Sequence, residues 1–170
     1  MKNTVICLFT FISVGFFSLQ CTTKNQSDST GHTAQQAPPT TNDLPALAVR
    51  ITDGQAISLR EVTGKVVLIF FNPDCDHCQR EAEQIKNRKQ LFYEYQVYFI
   101  STETVEALNG FAKKYELMDD NFLFAQADAA AVFESVGNLP SVPAIFIYDN
   151  KRFVKRFDGE TSLDVIQQFL

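Results

Sequence analysis

At 170 residues the chain has room for one domain of ordinary size with attachments. A hydrophobic share of 45% that includes 16 Phe is enough for a packed core. The net charge of −5 and a pI near 5.0 argue against a general nucleic-acid surface, and no internal repeat is visible.

Lys2 supplies a short positive start, and Val5 to Leu19 is an apolar run. A bilayer-spanning helix needs about 20 such residues, so the run fits the apolar core of a secretory signal. It ends in Ser18-Leu19-Gln20-Cys21, which resembles a bacterial lipoprotein signal, in which the cysteine after the cut is lipidated. The alternative is ordinary signal cleavage nearby, leaving Cys21 as a free thiol. From Thr22 to Asp43 the chain is rich in Thr, Ser, Gln, Asn and Pro and has no aromatic residue. Such a stretch cannot bury a core and is expected to be a disordered tether, spanning about 25 Å on average. His32 lies within it and is assigned no role. The expected organisation is a lipoprotein-type signal peptide over residues 1–20, a tether over 21–43 and a folded domain over 44–170.

In that domain Ala46 to Ile51 and Gln55 to Leu59 read as a short hairpin around Asp53-Gly54. Gly64-Lys65 leads into Val66-Val67-Leu68-Ile69-Phe70-Phe71, an unbroken apolar run expected to be a strand buried on both faces. Asn72-Pro73-Asp74 stops it, and a helix pattern runs from Asp76 to about Gln90, with Cys78, Ala82, Ile85 and Lys89 on one stripe. Tyr95 to Ser101 is a second strand, Thr104 to Tyr115 a second helix, and Phe122 to Gln126 a third strand. Asp128 is expected to cap a short helix that Gly137 closes. Ala144 to Tyr148 and Arg152 to Phe157 read as a hairpin over Asp149-Asn150, and Ser162 to Leu170 as a closing helix. Strands alternating with helices, then a hairpin and a final helix, predict an α/β sandwich around a mixed sheet. The cysteines then fall at the carboxyl end of a central strand, where open α/β sheets place their ligands.

Cys7 leaves with the signal and lipidation would occupy Cys21, so Cys75 and Cys78 alone remain in the domain. An export signal implies a compartment that permits disulfides, yet no structural disulfide framework exists. Two thiols three residues apart at a helix start share one side, with Cβ atoms about 5–6 Å apart. A disulfide needs about 3.5–4.5 Å, so a small adjustment opens or closes the pair. The unpaired N–H groups and positive dipole end of the helix favour a thiolate at Cys75. The competing readings are a structural disulfide or half of a zinc site. Zinc wants about four ligands, and no second cysteine pair completes one.

These residues resemble the thioredoxin superfamily, and within it the TlpA/ResA-like (redoxin, AhpC/TSA-type) membrane-tethered thiol–disulfide oxidoreductases. The resemblance rests on Gly64-Lys65 followed by the strand, on Cys75-Asp76-His77-Cys78 with Glu81 three residues on, and on Val142-Pro143 before a late strand. The chain departs from the family at Asn72-Pro73-Asp74, where an aromatic-rich segment usually precedes the first cysteine. The resemblance implies a thioredoxin fold with an N-terminal β-hairpin extension. It also implies a carboxylate at Glu81 that manages protons during exchange. Val142 is implied to pair with the substrate backbone, and Pro143 to follow a cis bond, although X–Pro bonds are usually trans.

Read residue by residue, Cys75 is the expected nucleophile and Cys78 the resolving thiol. A cationic His77 would stabilise the thiolate, while Asp74 and Asp76 oppose it; a solvent-facing loop histidine is the plain alternative. For Glu81 the plain alternative is a first-turn acid favouring the helix dipole, worth about 0.3–1 kcal/mol. Lys65 reads as a turn residue, Phe70 and Phe71 as core, and the Lys151–Arg156 cluster as a solvated edge. The expected function is an envelope thiol–disulfide oxidoreductase, lipid-anchored at Cys21, monomeric and acting as a reductase. Its partners would be protein thiols and disulfides and a membrane thiol reductant. No metal, flavin or nucleotide is implied, because the cysteines carry the electrons. The rivals are a thiol peroxidase and a copper-handling module; the latter wants a downstream histidine, and none follows His77.

Overall fold

The computed structural model describes residues 41–170. The expected signal peptide, nearly all of the tether, and Cys21 with its lipidation lie outside the described residues. Seven strands form one mixed sheet: β1 (Ala48–Ile51), β2 (Ala56–Ser58), β3 (Lys65–Phe70), β4 (Tyr95–Ser101), β5 (Phe122–Gln126), β6 (Ala144–Asp149) and β7 (Arg152–Asp158). Four helices accompany them: α1 (Asp76–Asn87), α2 (Val105–Lys114), α3 (Ala129–Val136) and α4 (Leu163–Ile166). The strand order is β2-β1-β5-β4-β3-β6-β7, with β3, β4 and β5 parallel and the other pairings antiparallel.

The unbroken apolar run at 66–71 has the meaning expected of it. Strand β3 is buried on both faces because successive side chains point to opposite sides of a covered sheet. Val67, Ile69 and Phe71 join the core beneath α1, α2 and α4, through Ala82, Ile85, Leu108, Phe111, Leu163 and Ile166. Val66, Leu68 and Phe70 join a second core on the other side, closed by Leu47 and Val49 of the N-terminal hairpin region and by Val132 of α3. Phe71 is the keystone at the end of β3. Its ring lies 4.8 Å from that of Phe111, 5.5 Å from Phe99 and 6.0 Å from Phe124, which ties the strand end to α2 and β5.

Four details differ from the expectation. Helix α1 ends at Asn87, because Arg88 leaves helical geometry at φ −137°, and the chain continues as a turn of 3-10 helix over Lys89–Phe92. The hairpin between β6 and β7 turns over Asn150-Lys151 rather than Asp149-Asn150. Both residues have positive φ, 47° and 69°, as a type I′ turn demands. The closing helix makes one α turn, Leu163–Ile166, and then tightens into 3-10 geometry. Residues just before Leu44 also pack onto the domain: Asn42 Nδ2 donates to the Arg60 carbonyl, and the Asp43 N–H donates to the Lys151 carbonyl at 2.8 Å. Asp128 caps α3 by accepting the Ala131 N–H, and Gly137 follows the helix at φ 75°.

Candidate active site

The site is built on the carboxyl end of β3. Asn72 Oδ1 accepts the Asp74 N–H at 2.8 Å, and the Asn72 carbonyl accepts the Cys75 N–H at 3.1 Å, so Asn72-Pro73-Asp74 folds as an Asx-type turn. That turn delivers Cys75 as the N-cap of α1. Its Sγ accepts the Cys78 N–H at 3.4 Å, in the place a Ser or Asp oxygen usually takes. A sulfur there faces the positive end of the helix dipole. Both thiols are unbonded; Cys75 is half-buried and Cys78 is buried. The Cys75 thiol also donates to the Val142 carbonyl at 3.6 Å, across a gap of 67 positions in sequence. The Val142–Pro143 peptide bond is cis. Burial pushes the Cys78 thiol up to about 12, reinforced by the neighbouring Cys75 sulfur and opposed by the Asn72 backbone.

Glu81 lies one turn beyond Cys78 on the buried face of α1 and is 1% exposed. Its Oε2 accepts the Thr161 N–H at 2.8 Å, while Oε1 has no partner among the described residues. Burial raises this carboxyl from 4.5 to about 7; the Thr161 hydrogen bond holds it down, and the nearby Glu160 charge lifts it further. A buried acid that changes charge near neutral pH, one turn from a buried thiol, is equipped to take and return a proton.

His77 is exposed, but it lies in the first turn of α1 rather than in a loop, and its ring has two neighbours. Its Nδ1 lies 3.0 Å from Glu160 Oε2 and 2.8 Å from Arg80 Nη2. An Nδ1–H donates to the carboxylate, and a bare Nδ1 accepts from the guanidinium. Arg80 itself grips both oxygens of Glu160, from Nε at 2.9 and 3.0 Å and from Nη2 at 2.7 Å. Sequence reasoning missed Arg80, Glu160 and Thr161. The last two sit 80 positions downstream of their partners, in the loop between β7 and α4, and no local pattern marks them. Gly159 opens that loop at φ 87°, and its N–H donates to the Pro143 carbonyl at 2.8 Å, fastening the loop to the cis proline.

Among the described residues no three His, Cys, Asp or Glu side chains are grouped so as to hold a metal ion, and no helix is long and apolar enough to cross a membrane. A half-buried sulfur capping a helix, a buried sulfur one turn inside, and a cis proline against the first define a thioredoxin-fold protein with a paired-thiol site.

The chain belongs to the AhpC/TSA family, whose model matches residues 35–157. Solved structures place the same fold around it. MTB DsbF, solved in mixed oxidised and reduced forms, superposes with a TM-score of 0.63 at 22% identity, over 75% of this chain and 94% of that one. A secreted Mycobacterium tuberculosis disulfide oxidoreductase homologous to E. coli DsbE gives 0.61 at 22% identity, over 72% and 92%. StoA from Bacillus subtilis gives 0.57 at 16% identity, over 75% and 98%. No curated protein sequence is a significant match.

Proposed function

We propose that this protein is a thiol–disulfide oxidoreductase that exchanges disulfides with other proteins through Cys75 and Cys78. One observation carries the reading: Cys75 is half-buried at a helix N-cap, with its Sγ 3.6 Å from the carbonyl that precedes a cis proline and Cys78 one turn inside. As a reductase, the Cys75 thiolate attacks a partner disulfide, a mixed disulfide forms, and one partner sulfur leaves as a thiolate. Cys78 then loses its proton and attacks Cys75 Sγ, releasing the second partner thiolate and closing the Cys75–Cys78 bond. Two electrons and two protons pass to the partner. Since burial disfavours a Cys78 thiolate, the attack needs a proton acceptor, and Glu81 is placed for that part. Val142 offers its backbone to the incoming chain beside Pro143. His77 acts through its ion pair rather than alone.

In this reading residues 1–20 export the chain, Cys21 is lipidated, and residues 21–43 tether the domain 44–170 at the envelope. There it meets protein thiols and disulfides and draws electrons from a membrane thiol reductant. The secreted Mycobacterium tuberculosis disulfide oxidoreductase that shares the fold supports the placement. The test is insulin-disulfide reduction with dithiothreitol as donor. Cys75→Ser is expected to abolish turnover, and Cys78→Ser to accumulate a mixed disulfide; full turnover by Cys75→Ser refutes the proposal. A reduction potential of the pair near about −270 mV supports the reductase direction, and one near about −120 mV reverses it. Rapid peroxide consumption with a thiol donor, without disulfide exchange, would favour a peroxidase instead.

A further inference from the structure

The loop Gly159-Glu160-Thr161 touches the site at three places around the cysteine pair. Its first residue holds the Pro143 carbonyl, its last holds the buried carboxyl of Glu81, and between them Glu160 grips Arg80 and His77. Glu160 is shielded more than either partner: its side chain is 26% exposed, against 53% for Arg80 and 64% for His77. Its carboxyl is held below the ordinary carboxylate range, first by Arg80 and then by His77. The Arg80 guanidinium is held up in turn, mainly by Glu160, and it also feels the negative charge of Asp76 and of Cys75. Arg80 lies on α1 with its Nη2 2.8 Å from the ring of His77, the residue between the two cysteines, yet its donors are committed to Glu160. Other charged groups near the cysteine turn are Asp74 and Asp76 at the helix start, Glu81 beneath it, Glu103, which accepts from Asn72 Nδ2 at 3.2 Å, and Lys114 of α2, whose Nζ donates to Gln79 Oε1 at 3.3 Å.

We propose that Glu160 is a positioning residue that cancels the positive charge of Arg80 beside the cysteine turn, and so sets how reducing the Cys75–Cys78 couple is. The inference rests on the disulfide-exchange reading and deepens it by assigning the direction to a residue outside the cysteine motif. With the carboxylate in place, the Arg80 guanidinium contributes little net field at the sulfur. Removing its charge while keeping its shape leaves that field unbalanced, which favours the thiolate and hence the reduced pair. The couple then becomes a better oxidant. Removing Arg80 alone leaves Glu160 unbalanced and acts in the opposite sense.

The test compares the wild type with E160Q, R80Q, the H77Q/R80Q variant and the combined H77Q/R80Q/E160Q variant, each reduced beforehand. Two readouts are taken: the rate of iodoacetamide alkylation at pH 6, and the equilibrium with glutathione. In the latter, oxidised glutathione takes two electrons from the pair, the Cys75–Cys78 bond forms, and two glutathione thiols are released. E160Q is expected to alkylate about two- to fivefold faster, the size of one unbalanced charge at a partly exposed position. Its glutathione equilibrium should move toward the reduced protein by a similar factor, a threefold change being about 14 mV. R80Q should alkylate more slowly than wild type, and the E160Q effect should shrink in 1 M NaCl. Equal alkylation rates and potentials in wild type and E160Q overturn the inference. So does an E160Q effect that persists undiminished in the H77Q/R80Q background, because it would then run through Glu81 or the backbone. Failure of the wild type itself to exchange with glutathione would sink the parent reading, an outcome distinct from either of these.

Discussion

Replacing Glu81 with Gln isolates the burial of one carboxyl. In the folded protein that group sits at about 7, against an ordinary 4.5, with burial as the main cause. A carboxyl raised on folding contributes its stability fully below about pH 4.5 and loses it as the pH climbs through about 7, because the folded chain then has to hold a desolvated charge. The gap between 7 and 4.5 corresponds to roughly 3 kcal/mol, and about 2.5 kcal/mol of it falls between pH 5 and pH 8. Gln keeps an oxygen to accept the Thr161 N–H and cannot ionise. It places an amide N–H₂ where Oε1 has no partner among the described residues, a penalty that does not depend on pH. Urea unfolding of the reduced proteins at a series of pH values from 5 to 8 therefore reads the slope, not the offset. Stability of E81Q minus that of wild type should rise by about 2.5 kcal/mol over this range, while groups that titrate alike in both cancel. Parallel curves across the whole range would refute the reasoning and return Glu81 to the role of a helix-dipole acid.

Other perturbations follow from the same geometry. Because burial holds the Cys78 thiol near 12, iodoacetamide at pH 8 should label Cys75 in the reduced native protein and leave Cys78 unlabelled, as peptide mapping would show. Phe71→Ala removes the ring that joins β3 to α2 and β5 and should destabilise the domain by about 3–5 kcal/mol in urea unfolding. Asp128→Ala deletes the α3 cap and should cost about 1 kcal/mol by the same measure. Lys151→Gly relieves a lysine held at φ 69° in the β6–β7 turn and should stabilise by about 0.5–1 kcal/mol.

The strands were legible because a two-sided core demands apolar runs of strand length: β4 and β5 occupy the spans that the pattern marks out. The short helix α3 was legible from its ends, where Asp128 and Gly137 act through local backbone geometry. Cys75 and Cys78 were legible for the same reason, since their spacing alone places both on the first turn of α1. What escaped is non-local. The grip of Glu160 on Arg80 and the bond from Thr161 to Glu81 depend on how β7 returns along the sheet, which no window of sequence contains. The turn over Asn150-Lys151 escaped differently: a lysine in left-handed geometry runs against its usual preference, and register across β6 and β7 imposes it.

The pairing of β3 with β6 has a geographical consequence. Phe70, next to the cysteine turn, faces Ala144, whereas Lys65 faces Asp149 at the other end of the same strands, about 17 Å away at the usual rise per residue. Asn42 and Asp43 are fastened at the Lys65 end, to Arg60, Lys151 and Arg152. Residue 42 thus lies at the pole opposite the sulfurs. The described domain is fastened at its heel, with the cysteine turn at its opposite end.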